Sequence, residues 1–322
     1  MALLGIDLGG TKLALAVFTE EGNMLSKEVI ALGNRKGNEV GELIIEQISV
    51  VLHSHESNEK KINAVGISVP GISHPGTGTV WAPNIPGWDN YPLLQEVKPV
   101  TGTLPVTIDS DRACYILGEV WQGNARGCRN AIFLAVGTGI GAGILVNGEV
   151  LRGSNDIAGA IGWMALNRPF NDEYIRCGCF EHHASGEGIA KMAGMMLRED
   201  KTYTGDLKNK PAEQINSYDV FSAYEKGDPL ASGLIRQCIE FWGMAVANLI
   251  SLFNPEKIIM GGGVFGPAVK LIKEIRQEAA KWAQPVSINQ VSIDASGLEG
   301  NAGVYGAGFL ALKALSGLNH TY

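Results

Sequence analysis

Apolar positions in this chain come in short runs broken by glycine turns. Leu3 to Ile6 is the first run; past Gly9 and Gly10 a second, Leu13 to Phe18, ends at the polar "TEEGN". Two β-compatible runs flanking a tight glycine turn predict a hairpin. The plan returns at Ile132 to Gly153, "IFLAVGTGIGAGILVNGEVLRG", as apolar strand, Gly-Thr-Gly turn, apolar strand, Asn-Gly turn and strand. Set beside "LLGIDLGGTKLALAVFTEEGNML", the matching order and spacing predict a duplicated β-hairpin unit, one in each half. Between and after these lie "AVGISVPG" (64 to 71), "PVTIDSDRACYILGEVWQG" (105 to 123) and helical patterns at Gly41 to His53, Ala184 to Glu199 and Pro229 to Phe253, the last leading into the strand-like "KIIMGGG". Strands alternating with helices predict a mixed α/β protein of two domains. The crossing between domains is expected near Asp109 to Gly118, where the strand "VTI" gives way to a helix.

Composition narrows the field of partners. The 322 residues are 45% hydrophobic and 18% charged, enough for two cores, and the net charge of -7 argues against a nucleic-acid or anionic-membrane footprint. No apolar stretch approaches the roughly 20 residues of a membrane span. Five scattered cysteines, an odd number with no signal peptide ahead of them, read as a reducing cytoplasm. The 42 glycines are about twice the usual share of ~7% and imply many turns or close backbone approaches.

The turns carry the candidate chemistry. "GIDLGGTK" is neither GxGxxG nor GxxxxGK[ST]. Gly9 and Gly10 turn backbone N–H groups outward, while Thr11 and Lys12 add a hydroxyl and a cation, a set suited to phosphate. Asp7 is placed to hold Mg²⁺ or its water against such a phosphate, or simply to cap a tight hairpin. Gly137, Thr138 and Gly139 repeat the turn, so that two glycine turns, one per half, suit a cleft gripping a polyphosphate. A nucleoside can rest at the third turn, Gly261, Gly262 and Gly263. Asp111 falls in the first turn of its helix, where the helix dipole favours a carboxylate; it reads either as a base of ordinary pKa near 4 or as a plain helix cap.

With these motifs assembled, the chain resembles the ROK family (repressor, open reading frame, kinase). "GIDLGGTK" looks like the family's first phosphate loop, "AVGTGIGAG" its second, "IIMGGGV" its adenosine loop, "APNIPGWDN" its sugar-domain signature and "GNAGVYGAGFLA" its C-terminal Gly/Ala helix. The resemblance implies the α/β two-domain sugar kinase/actin/Hsp70-like (ribonuclease H-like) fold with a duplicated βββαβα-type core. It divides the chain into 1–117, with a helix over 305–322 packing back on it, and 118–304. "DSDRACYILGE" stands where family kinases carry Glu-Asn-Asp-Ala, which puts Asp111 on the catalytic aspartate and Ser110 in place of a sugar-binding asparagine. Gly71, Asn84 and Glu181 fall at sugar-binding positions, although a stretch so rich in turns needs residues such as Gly71 and Asn84 structurally. ATP and Mg²⁺ are the implied cofactors and a small-molecule sugar the partner; the expected assembly is a homodimer.

Two departures stand out. Family kinases read Ala-Gly-Glu-Ile-Gly-His where this chain has Ala158 to Trp163, so the sugar-binding glutamate becomes Ala160 and the zinc-ligating histidine Trp163. Trp163 reads either as a stacking face for a sugar ring or as core filling beside the small Ala160. Of CxCGxxGCxE only Cys179 and Glu181 match by position, Asp172 and Tyr174 replacing the first two cysteines; adjacent His182 and His183 point apart and suit a shared ion with Cys177 and Cys179 poorly, so no zinc is expected. The expected function is ATP-dependent phosphorylation of a hexose or hexose derivative with an altered sugar pocket. A non-catalytic binding protein is the alternative, and a ROK regulator is a weaker one because the first strand begins at Leu3 with no room ahead for a DNA-binding module.

Overall fold

The computed structural model describes residues 1–56 and 61–317. Residues 318–322 of the expected helix 305–322 lie outside them. The described residues form two compact units: those of Met1–Gly127 with Arg152–Ala158 and 297–317, and Cys128–Leu151 with Gly159–Ser296. The sequence reading parted the chain at 117/118 and 304/305. In the structure position 117 falls inside the helix Asp111–Gln122, which stays whole because its length packs on the C-terminal helix Ala302–Leu315.

In unit 1, β1 (Ala2–Leu8), β2 (Lys12–Thr19), β3 (Met24–Ala31), β4 (Ile62–Val69) and β7 (Val106–Ser110) form one sheet in the order β3-β2-β1-β4-β7; β5 (Ile72–His74) and β6 (Thr79–Trp81) make a separate small hairpin. The β1–β2 and β2–β3 pairs are antiparallel, β1–β4 and β4–β7 parallel. Helices α1 (Asn38–Ser54) and α2 (Leu93–Thr101) cover one face; α3 (Asp111–Gln122) and the C-terminal helix cover the other. Successive side chains on a strand point to opposite faces. Leu4, Ile6 and Leu8 therefore join Val40, Ile44 and Ile48 in one core, while Leu3 meets Phe18, Val304 and Ala311 in the other. Small residues bring the C-terminal helix down onto the sheet and against α3: a Cβ on Gly66 of β4 would strike the Ala307 carbonyl, and one on Gly306 the Cys114 carbonyl of α3.

Unit 2 repeats the topology. β8 (Ala131–Val136), β9 (Ile140–Val146), β10 (Glu149–Val150), β11 (Lys257–Gly261) and β12 (Ser292–Ala295) pair in the order β10-β9-β8-β11-β12, with the same antiparallel and parallel steps. The Asn-Gly turn between β9 and β10 has both residues at positive φ, Asn147 at 54° and Gly148 at 89°, as a two-residue hairpin requires. The helix expected over Ala184 to Glu199 forms as Gly186–Glu199: Ser185 is extended and its hydroxyl caps it by accepting the Gly188 N–H, which leaves Ala184 as the last residue of the preceding helix Cys179–Ala184. The long Pro229–Phe253 helix forms as the pattern predicts, with Asp228 as its N-cap. Among the described residues no helix is long and apolar enough to cross a membrane.

Candidate active site

In unit 1 the alternation that sends Leu8 into one core turns Asp7 toward the other face, against Gly303, whose missing Cβ leaves room for the carboxylate. Ser68, its register partner on β4, donates from Oγ to Asp7 Oδ1 at 2.7 Å. Burial raises the Asp7 pKa, with the Ser68 hydroxyl, Lys12 and Lys27 pulling the other way. A buried carboxylate with Oδ1 engaged by one hydroxyl fits the one or two acidic contacts that Mg²⁺ takes beside phosphates. The adjoining turn closes through Gly9 N–H to the Lys12 carbonyl, 2.9 Å. Gly9 and Gly10 keep negative φ, and their contribution is open space: a Cβ at Gly9 would approach only the Lys12 oxygen at 3.4 Å, and one at Gly10 only Asn84 Cβ at 3.9 Å. Thr11, Lys12 and Asn84 are exposed around this surface.

At the start of α3 the capping role belongs to Ser110, whose buried Oγ accepts the Ala113 N–H at 3.3 Å. Asp111 is the first helical residue and half-buried; its Oδ1 accepts the Arg112 N–H at 2.8 Å, and Tyr115 Oη lies 3.5 Å from Oδ2. The ordinary pKa near 4 read from the sequence is corrected to about 6, chiefly by burial and further by the Asp7 charge, with Arg112 opposing. At pH 7 the carboxylate is still mostly ionised. Beneath it, Asp109 is 2% exposed; it takes a bidentate ion pair from Arg152 at 2.9 and 2.6 Å and also accepts the Ser110 N–H at 2.8 Å. Arg112 reaches the Gly71 carbonyl at 3.1 Å. Gly71 itself sits at φ 108°, where a Cβ would strike the Trp81 carbonyl, so glycine is a steric requirement there.

Unit 2 brings its own candidates together. The Gly137 Cα faces open space toward Gly263, whose amide nitrogen is 4.0 Å from where a Gly137 Cβ would stand, so the second and third turns are neighbours. Thr138, Gly262 and Gly263 are exposed. The first residues of the Gly186–Glu199 helix bind the back of the turn, Gly186 N–H to the Gly137 carbonyl at 2.8 Å and Glu187 N–H to that of Thr138 at 3.3 Å. Glu181 folds inward: its Oε2 accepts the Ile140 N–H at 2.5 Å, and a Cβ on Gly139 would come within 2.6 Å of that oxygen. Burial raises its pKa and Glu187 adds to the rise, while the Ile140 amide counters. Trp163 is 57% exposed, which removes the core-filling reading.

The former zinc segment is held by rings. Tyr174 Oη lies 2.8 Å from His183 Nε2, His183 stacks on Phe241 at 4.5 Å, and His182 packs edge-on to Tyr174. Burial and the adjacent His182 lower the His183 pKa to about 4, so the imidazole is neutral. Among the described residues no group of three His, Cys, Asp or Glu is placed to hold a metal.

Sequence reasoning missed Ser68, Arg152, Tyr115 and Tyr218. Ser68 could have been found from the parallel pairing of "GIDL" with "GISV"; the Asp109–Arg152 pair spans 43 positions with no local signal. Tyr218, 60% exposed, donates to the Gly263 carbonyl at 3.2 Å.

Known proteins are similar to this chain in sequence and fold. A glucokinase of Halalkalibacterium halodurans is 33% identical over 315 residues, 95% of this chain and 94% of its own. The ROK hexokinase of Thermus thermophilus aligns with a TM-score of 0.79 at 27% identity over 98% of this chain and 100% of its own. A ROK family glucokinase from Streptomyces griseus, solved with glucose and AMPPNP, gives 0.75 at 27% identity over 97% and 99%. Its neighbours' two-domain actin/Hsp70-like α/β fold is this chain's fold as well, and the family model matches residues 3–314: the chain belongs to the ROK family.

Proposed function

We propose that the protein is a sugar kinase, transferring the γ-phosphoryl group of ATP to a hydroxyl of a hexose or hexose derivative. The observation that carries the reading is the Asp111 carboxylate, held by the Arg112 N–H at the start of α3 and sharing its electrostatic surroundings with Asp7 at the foot of an unobstructed glycine turn. Phosphoryl transfer asks for in-line placement, charge neutralisation and a base for the hydroxyl proton. Asp111, ionised at neutral pH, accepts a hydrogen bond from the attacking hydroxyl and takes its proton as the new O–P bond forms. Gly9, Gly10, Thr11 and Lys12, and in unit 2 Gly137, Thr138, Gly139 and Gly261 to Gly263, form the phosphate surfaces: the Gly9 and Gly137 amides close their turns on the Lys12 and Gly139 carbonyls and those glycines contribute clearance, while the remaining turn amides, the Thr11 hydroxyl and the Lys12 ammonium are offered to phosphate oxygens. Asp7 would hold Mg²⁺, whose charge offsets that of the phosphates.

On the sugar side, Glu181 is the acceptor for hydroxyls and the exposed Trp163 indole a stacking face, with Asn84 beside the first turn. With Ala160 and Trp163 in place of hydrogen-bonding residues, glucose is a poor substrate, and a hexose bearing a more apolar face or substituent is better. ADP release measured across a panel of hexoses tests this: sugar-dependent release supports the kinase, whereas thermal shifts with sugar and ATP but no turnover would favour a binding protein.

The reading includes a zinc-free chain, since Tyr174 and His183 satisfy each other. One zinc per chain in protein purified without added metal would overturn that part. It includes a cytoplasmic location, in keeping with five free cysteines, and a homodimer, checked by sedimentation.

A further inference from the structure

Tyr218 stands out among the exposed aromatic residues because its polar end is tied to a candidate ligand-binding turn. It is the second residue of the helix Ser217–Glu225, which starts with a capping box between Asn216 and Asp219. The ring is 60% exposed, yet the hydroxyl donates to the Gly263 carbonyl at 3.2 Å. An exposed tyrosine without such a tie samples several rotamers; this one is fixed at both ends, by a capped helix and by its hydroxyl.

The surroundings say what the ring is fixed for. Gly262 leaves β11 at φ 90°, where a side chain would collide with the Val136 backbone, and Gly263 has only the Tyr218 hydroxyl near its missing Cβ, at 3.4 Å. Gly137 opens toward the same amide. Backbone without side chains suits polyphosphate and ribose. It offers no apolar face for a base, and the Tyr218 ring does.

The geometry points to Tyr218 as the platform on which the nucleoside base of the phosphoryl donor stacks, its hydroxyl tether to Gly263 setting the ring's height over the third glycine turn. This rests on the reading of that turn as a nucleotide site. Stacking engages the π-face of a base and reads none of its edges, so the platform accepts guanine as it accepts adenine.

The experiment compares wild type, Tyr218→Phe and Tyr218→Ala by calorimetric titration with ATP, GTP and inorganic tripolyphosphate, with Mg²⁺ present throughout. Tyr218→Ala should weaken ATP and GTP alike, each by about tenfold, which corresponds to roughly 1.4 kcal/mol. Tripolyphosphate affinity should stay unchanged, because it lacks the base. Tyr218→Phe, which keeps the ring and drops the tether, should lose about threefold, since a looser ring stacks less well. An unchanged ATP affinity in Tyr218→Ala, or an equal loss for tripolyphosphate, would overturn the inference while the kinase reading stood. Wild type that binds none of the three would instead sink the nucleotide reading itself. A circular dichroism melt of each variant separates a local loss from unfolding; if Tyr218→Ala melts early, Tyr218→Leu, similar in bulk but without a π-face, takes its place with the same expected losses.

Discussion

The two halves share one sheet plan but arm it differently. In unit 1 the first hairpin turn follows a buried carboxylate, Asp7, held by Ser68; the corresponding position ahead of the second turn, Ala135, carries no charge. Unit 2 instead brings in Glu181 from a separate helix and presses it against Ile140. Both parallel strands leave their sheets on a glycine at positive φ, Gly71 after β4 and Gly262 after β11. Past that point unit 1 builds a hydrogen-bonded acid at the head of α3, and unit 2 an exposed glycine surface capped by Tyr218. On the proposed function, both halves of the duplicated scaffold would offer glycine backbone to phosphate, and unit 1 alone would add the base that takes the proton.

The largest effect that would test this division is at Asp111. Asp111→Asn should cut kcat by about 10²–10⁴-fold with ATP affinity retained in calorimetry. The pH profile should follow: kcat falls as pH drops through about 6, where the base becomes protonated. The sign for stability is opposite. A raised carboxyl pKa means the folded state favours the protonated form, a contribution full below about 4 and lost as pH rises through about 6. Asp111→Asn should therefore melt higher than wild type at pH 7 while being inactive. A variant both inactive and less stable would give Asp111 a structural role in the first turn of α3 in place of a catalytic one.

Next comes the buried pair under the acid. Asp109→Asn leaves the partly exposed Arg152 guanidinium with only the Asp156 carboxylate, 3.9 Å away, and should cost about 1–3 kcal/mol in chemical denaturation. Asp109→Asn with Arg152→Gln removes both charges and should recover much of that loss. If the two single changes add in the double variant, the pair is not coupled. No comparable buried pair is expected to respond under the glycine turns of unit 2.

The smallest effect is on sugar choice. Ala160→Glu with Trp163→His restores two hydrogen-bonding groups, each contributing about 0.5–1.5 kcal/mol, and should raise kcat/KM for glucose by roughly tenfold. Should wild type already use glucose well and the double variant gain nothing, the altered-pocket account fails.

What the sequence revealed follows from range. The glycine turns, the hairpins and the Pro229–Phe253 helix were legible because each is specified within a few neighbouring residues. The start of α3 was visible, but which of Ser110 and Asp111 caps it was not, since either residue type can accept from the helix amides. Burial around Asp111, which moves its pKa, is supplied by distant elements, as is the Arg152 partner of Asp109. At Trp163 the sequence left packing and stacking both open, because a tryptophan beside alanine suits either; the short turn Ile161–Trp163 turns its ring outward and removes the first.

The small-residue seam under the C-terminal helix has a consequence for how the chain is made. The sheet of unit 1 is complete by Ser110, but the helix that covers Leu3, Phe18 and Ala64 begins at Ala302. The ~190 intervening residues take on the order of 10–40 s to synthesise at about 5–20 residues per second. Throughout that interval this face of the nascent sheet lacks its final cover, and because Gly66 and Gly306 admit backbone with almost no clearance, a substitute segment with larger side chains cannot fill the place. The period of greatest exposure to aggregation or chaperone capture is therefore set by the order of the elements, and it ends when the helix Ala302–Leu315 emerges from the ribosome.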